Sequence, residues 1–293
     1  MADRVLAWVS QRRDRWRRYG LIGALALFTA GLAWAISNIG DLPSRLEPAP
    51  LLWLLVLGAP VGMLLNSVEL WAISRIGGGP IAWRAALEIT VYGSASNMLP
   101  LPGAALTKVV AMKAQGVGYG KGSAMILLSY AIWGGLAFIY SGGALWLLGQ
   151  GAAAAGFVAL GCVLLAGGWF GFARFGGWRL IGVVALMRLI SFPLEALRYM
   201  LALAALSASV AFTQASVFVV ASFLGSAVML APSGLGIGET MVALISPIVE
   251  IDPAFGFTAA AAGRAVWMAG LMLFAGALLL TSGSRQPAHS GSA

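Results

Sequence analysis

The chain predicts an all-α, polytopic integral membrane protein of about six to eight transmembrane helices, with two re-entrant broken-helix hairpins in an inverted repeat. Three observations carry this. Of 293 residues, 60% are hydrophobic and 10% charged, and a mean hydropathy of +0.90 leaves too few polar residues to cover a water-soluble surface. Basic residues gather at the ends of apolar runs, as orientation in a membrane requires. Two otherwise apolar segments are interrupted by proline and glycine, "NMLPLPG" at 97–103 and "LAPSGLGIGE" at 230–239.

The net charge of +8 therefore reports topology and excludes nucleic acid as a partner. Residues 1–18 hold six arginines interleaved with Leu6, Trp8, Val9 and Trp16, a basic cytoplasmic helix lying at the interface. Residues 19–282 form a single membrane domain, and 283–293 a disordered cytoplasmic tail. Tyr19 to Ile39 is read as an uncleaved first span, because the basic arm is long and the run is about twenty residues. After "GDLPSRLEPAP", a second span covers Leu51 to Ser74, and Arg75 and Arg84 mark the cytoplasmic side.

Residues 85–99 reach only about 22 Å as a helix, short of a hydrocarbon core of about 30 Å. Lys108, Lys113 and Lys121 follow on the cytoplasmic side. Residues 85–115 thus read as a hairpin that enters from the cytoplasm, turns at Pro100 and Pro102, and returns. Spans follow from Gly122 to Leu148, Ala152 to Phe172 (reaching Arg174 and Arg179), and Leu180 to Leu206. Residues 210–231 either span outright or form the first arm of a second hairpin, of which 230–249 is the return. Ala254 to Leu280 is the last span, leaving both termini cytoplasmic.

The halves, 19–150 and 151–282, align at an offset of about 131 to 134 residues: "SNMLPLPGAALTK" on "AVMLAPSGLGIGE", and "WGGLAFIYSG" on "WMAGLMLFAG", so that Lys108 faces Glu239 and Trp133 faces Trp267. Opposite orientation of two such halves is the geometry of a carrier that exposes one site alternately to either face. Irregular backbone at membrane depth is tolerated only around a wet cavity. Each helix that restarts past a proline aims free amides at the membrane middle, where they suit phosphate or carboxylate.

The candidate substrate-binding residues follow. Around the first break they are Asn97, Pro100, Gly103, Thr107 and Lys108; around the second, Pro232, Ser233, Gly234, Gly236 and Glu239. Glu239 needs a partner in lipid, and Arg264 on the last span is the natural one, either as a structural brace or with an amine at Glu239 and a phosphate at Arg264. Arg188, Glu195 and Arg198 form a further intramembrane cluster, in which Glu195 and Arg198 share a helix face and can neutralise one another. Asn66 and Glu69 share a face of the second span, and Glu88 lies in the first hairpin.

Cys162, the single cysteine, lies in an apolar run and His289, the single histidine, in the tail. No cysteine cluster, intramembrane histidine, metal site or cofactor site is expected. The "GLGIG" glycines follow no strand and do not form a nucleotide loop.

Pro232, Gly234, Leu235, Gly236 and Glu239, with Arg264 in the following helix, resemble the "P-x-G-L-G-x-x-E" signature and downstream arginine of the lysylphosphatidylglycerol synthase transmembrane region family. Asn97 to Gly103 and "GVGYGKGSA" resemble its "N-x-L-P" element and Gly-rich turn. The resemblance implies a multi-pass bacterial inner-membrane protein that translocates a lipid with a modified headgroup. No counterpart of the soluble aminoacyl-transfer domain is present, so lysyl-lipid synthesis is not expected. "PGAALTK" lacks the carboxylate that the family carries there.

The expected function is that of a flippase, not an enzyme, moving a phosphate-bearing lipid with an anionic or aminoacylated headgroup, an aminoacylated phospholipid or a polyprenyl-linked intermediate, between leaflets. The alternatives are a non-transporting subunit of a lipid or glycan synthesis complex, partnered by its enzyme, and a small-anion transporter.

Overall fold

The computed structural model describes residues 26, 28–39, 46–96, 103–176, 178–227 and 235–283. These are helical, with no strand among the described residues. In order they form α1 (Phe28–Ile39), α2 (Pro48–Ile76), α3 (Trp83–Ser96), α4 (Gly103–Ala114), α5 (Tyr119–Leu147), α6 (Gly151–Ala173), α7 (Trp178–Ala204), α8 (Phe212–Ala227), α9 (Ile237–Val249) and α10 (Pro253–Gly283). Five of them, α2, α5, α6, α7 and α10, are long and apolar enough to cross a membrane. Their bounds lie within a few residues of the expected spans, because twenty consecutive apolar residues leave few alternatives to a spanning helix.

Shorter helices border the two segments that carry the prolines and glycines. The 14 residues of α3 and 12 of α4 are each too short to span. They lie against one another at Gly93, where a Cβ would stand 3.4 Å from Thr107 Cβ and Ala104 Cα. α8, also shorter than the spanning helices, is interrupted at Phe218 and packs on α9 where Gly225 meets Gly238. The expected turns at 97–102 and 228–234, the arginine-rich arm and the tail beyond 283 lie outside the described residues.

Two long helices carry an internal proline. Pro60 has no N–H to return to the carbonyl of Val56, and the backbone just before it widens into a π turn over Leu54–Gly58. Pro193 likewise withholds an N–H inside α7, which stays α-helical through it. α2 and α7 run antiparallel: the Glu47 amide donates to the Ala205 carbonyl at 2.9 Å, a Cβ on Gly58 would lie 3.9 Å from Arg198, and Glu69 meets Arg188. α5 and α6 are also antiparallel, joined through Gly135, Gly161 and Gly168. Gln214 accepts the Ala211 amide at 2.9 Å and donates to the Val249 carbonyl at 2.8 Å, tying the start of α8 to the end of α9.

Candidate functional site

The proline-containing helices α2 and α7 and the two short pairs, α3–α4 and α8–α9, leave a cavity of about 460 Å³ between them, closed by α5 and α10. Its size is that of a small-molecule or headgroup site. Trp53, just before the π turn, and Leu57, within it, form part of its wall and are at least half-exposed, so the cavity borders apolar outer surface there.

A polar cluster lies where α2, α5 and α7 meet. Glu69 is 1% exposed; one carboxylate oxygen accepts from the Ser129 hydroxyl and the other from Arg188 Nη2. Arg188 Nη1 donates to Asn66 Oδ1 at 3.3 Å, and its guanidinium lies 4.5 Å from the centre of the Trp133 ring. Lys108 of α4 and Tyr130 of α5 stand within electrostatic reach of Glu69 and Arg188, and Thr90 of α3 lines the same cavity.

A second cluster lies where α7, α8, α9 and α10 meet. Arg198 Nη1 donates to Glu195 Oε2 at 2.6 Å, the Ser222 hydroxyl donates to Glu195 Oε1, and Ser222 in turn is 2.8 Å from the Tyr199 hydroxyl. Arg198 stacks 4.4 Å from the centre of the Trp267 ring. Arg264 grips Glu239 with two nitrogens, Nε to Oε1 at 2.5 Å and Nη2 to Oε2 at 3.3 Å. Glu239 Oε2 also accepts the Gly236 amide at 2.9 Å.

That last bond gives Glu239 a structural reason. Gly236 caps α9 with φ of +79°, a backbone that L-residues rarely adopt and glycine adopts freely. Glu239, three residues on, reaches back to the cap amide and so supplies the acidic half of a capping box, glycine having no side chain to return the bond. It is fully buried, and Arg264, not Glu239, forms the cavity wall. These contacts are the ones that the brace reading expects of Glu239.

The other expected residues divide clearly. Lys108, Arg188, Glu195, Arg198 and Arg264 line the cavity. Thr107 packs at Gly93 on the seam between α3 and α4, and Gly103 starts α4. Asn97, Pro100, Pro232, Ser233 and Gly234 lie outside the described residues. Glu195 and Arg198 neutralise one another as their spacing suggests, but Arg188 does not join them and reaches across to α2. Glu88 pairs with Arg84 at 3.1 Å on an exposed face, away from the cavity.

Thr90, Ser129, Tyr130, Tyr199 and Ser222 were not singled out by the sequence, since a hydroxyl in an apolar helix is too common to mark a site. Comparisons with protein-family models, with curated proteins and with solved structures gave no match.

Proposed function

We propose that the chain is a membrane carrier, a flippase of the bacterial inner membrane rather than an enzyme, moving a phosphate-bearing lipid between leaflets by alternate opening around the central cavity. The cargo class is that of the resemblance to the lysylphosphatidylglycerol synthase transmembrane region family, an aminoacylated phospholipid or a polyprenyl-linked intermediate. The observation that carries the reading is the charged cavity between two antiparallel, proline-containing helices, each flanked by a pair of short helices. Charges inside an apolar bundle are costly and are kept for ion or substrate pathways.

The inverted-repeat reading draws support from the same place. Pro60 on α2 has its counterpart in Pro193 on α7, and Trp133 on α5 has its counterpart in Trp267 on α10. Counterpart helices that run antiparallel are what two oppositely inserted halves require. Re-entrant insertion of α3–α4 and α8–α9 would bring both short pairs to mid-membrane, with only their tips and the cavity offering water to free backbone groups. A cavity of this volume takes a headgroup, while acyl chains remain outside along Trp53 and Leu57.

The test is leaflet exchange of fluorescent phospholipids in proteoliposomes. Exchange above that of protein-free vesicles is expected. Arg198→Gln, which strips the cation from Trp267, and Arg264→Lys, which keeps the charge and loses the two-nitrogen fork, should each slow it roughly tenfold. Exchange no faster than in empty vesicles would refute the carrier. Activity of a co-purified synthesis enzyme that depends on this chain, without exchange, would establish the subunit reading.

A further inference from the structure

We infer that the cavity is built for an anionic phosphate bearing no ammonium group, bound at the α3–α4 end by Lys108, Arg188 and Thr90. The inference deepens the carrier reading, and rests on it only for the step of transport.

The hydrogen bonds already made decide the sign of the ligand. Three carboxylates stand in or behind the cavity wall, and all six of their oxygens are engaged, five by hydrogen bonds and Glu239 Oε1 by its ion pair with Arg264 Nε: Glu69 is held by Ser129 and Arg188, Glu195 by Ser222 and Arg198, and Glu239 by Arg264 and the Gly236 amide. An ammonium entering here would find no open carboxylate. Four cations face those three carboxylates, and the surplus positive charge is Lys108, which forms no ion pair or hydrogen bond with any described residue.

Two further groups at this end lack partners among the described residues. Thr90 is 2% exposed and lines the cavity, yet its hydroxyl has no hydrogen bond. Arg188 Nε is likewise buried without an acceptor. A buried polar group without a partner is costly, and here the charged ones can only donate. The groups thus lack an acceptor-rich anion, which a phosphate diester supplies with its non-bridging oxygens. The second cluster offers no unpaired charge, so it would meet the uncharged remainder of the headgroup through Tyr199 and Ser226. Of the cargoes that the carrier reading leaves open, this selects a lipid phosphate and rejects the aminoacylated one, whose amines would meet Lys108.

The test is binding rather than transport. Purified protein in mild detergent is exposed to dioleoylphosphatidylglycerol, dioleoylphosphatidylethanolamine, an aminoacylated phosphatidylglycerol and inorganic phosphate, and retention is read by native mass spectrometry. Phosphatidylglycerol should be held in preference to both amine-bearing lipids. Lys108→Gln should weaken it roughly tenfold and erase the preference, while Lys108→Arg keeps both. Thr90→Val should move two readouts in opposite directions, raising the unfolding temperature of the empty protein and weakening phosphatidylglycerol.

Inorganic phosphate that competes in the same Lys108-dependent manner would keep the anion site and assign its ligand to solution. Aminoacylated lipid held as tightly as phosphatidylglycerol, or binding indifferent to both Lys108→Gln and Thr90→Val, would overturn the inference. Lys108-dependent binding without leaflet exchange would preserve the anion site and remove the carrier.

Discussion

Glu69→Gln is expected to lower the stability of the folded protein by about 3–5 kcal/mol, the cost of leaving one member of a buried ion pair uncompensated. The carboxylate is 1% exposed and is the only acidic partner of Arg188 among the described residues. Glutamine fits the same space and can still accept from Ser129. What it removes is the charge, and Arg188 is then left buried near Lys108, two cations at one end of the cavity. The comparison is Glu195→Gln: Glu195 and Arg198 form an i,i+3 pair on one helix, with side chains about one-fifth exposed, and that loss should cost about 1 kcal/mol or less after screening. Removing both members of the deep pair, Glu69→Gln with Arg188→Gln, should recover most of the loss. Unfolding in mild detergent, followed by tryptophan fluorescence, measures all three. A Glu69→Gln protein as stable as the Glu195→Gln protein would show that α2 and α7 are not held by this bond.

The spans were legible because a bilayer imposes a length that composition reveals directly. Pro and Gly at 97–103 and 230–238 mark the two segments that short helices border. Glu239 with Arg264 could be matched because they occupy successive helices. Arg188 could not be matched in the same way. In sequence it stands seven residues from Glu195 and joins that cluster, whereas its counter-charge is Glu69, 119 residues away. Only the antiparallel course of α2 against α7 brings the two together, and no local periodicity encodes which pair of long helices will be neighbours. The likeness of Trp133 to Trp267 was visible as a repeat, but their use as platforms for Arg188 and Arg198 is a lateral contact that depends on that same course. The role of Glu239 was left open by sequence for another reason: brace and ligand need the same residue type, and burial alone separates them.

The second large effect is expected at Gly161, whose replacement by valine should cost about 3 kcal/mol, the upper part of the range for forcing volume into a packed interior. α5 and α6 approach so closely that the backbone of one is the packing surface of the other. A Cβ on Gly161 would lie 2.7 Å from the Gly135 carbonyl oxygen, and one on Gly135 would lie 2.8 Å from the Gly161 carbonyl oxygen. Neither partner is a side chain that can swing away, so the helices must separate. Small residues serve this purpose in membranes, where association relies on close packing in place of hydrophobic expulsion. Gly167, six residues along α6, has open space where its Cβ would be, and Gly167→Val should be neutral or slightly stabilising, since valine is the better helix former. The effect should also reach the cavity. α5 carries Gly135 toward α6 and Ser129, Tyr130 and Trp133 toward the charged cluster, so displacing it loosens the Ser129 bond to Glu69 and the Trp133 platform under Arg188. Gly161→Val should therefore lower the unfolding midpoint and also weaken anion binding in the protein that remains folded. Equal behaviour of Gly161→Val and Gly167→Val in both measurements would mean that α6 is not the buttress of the site.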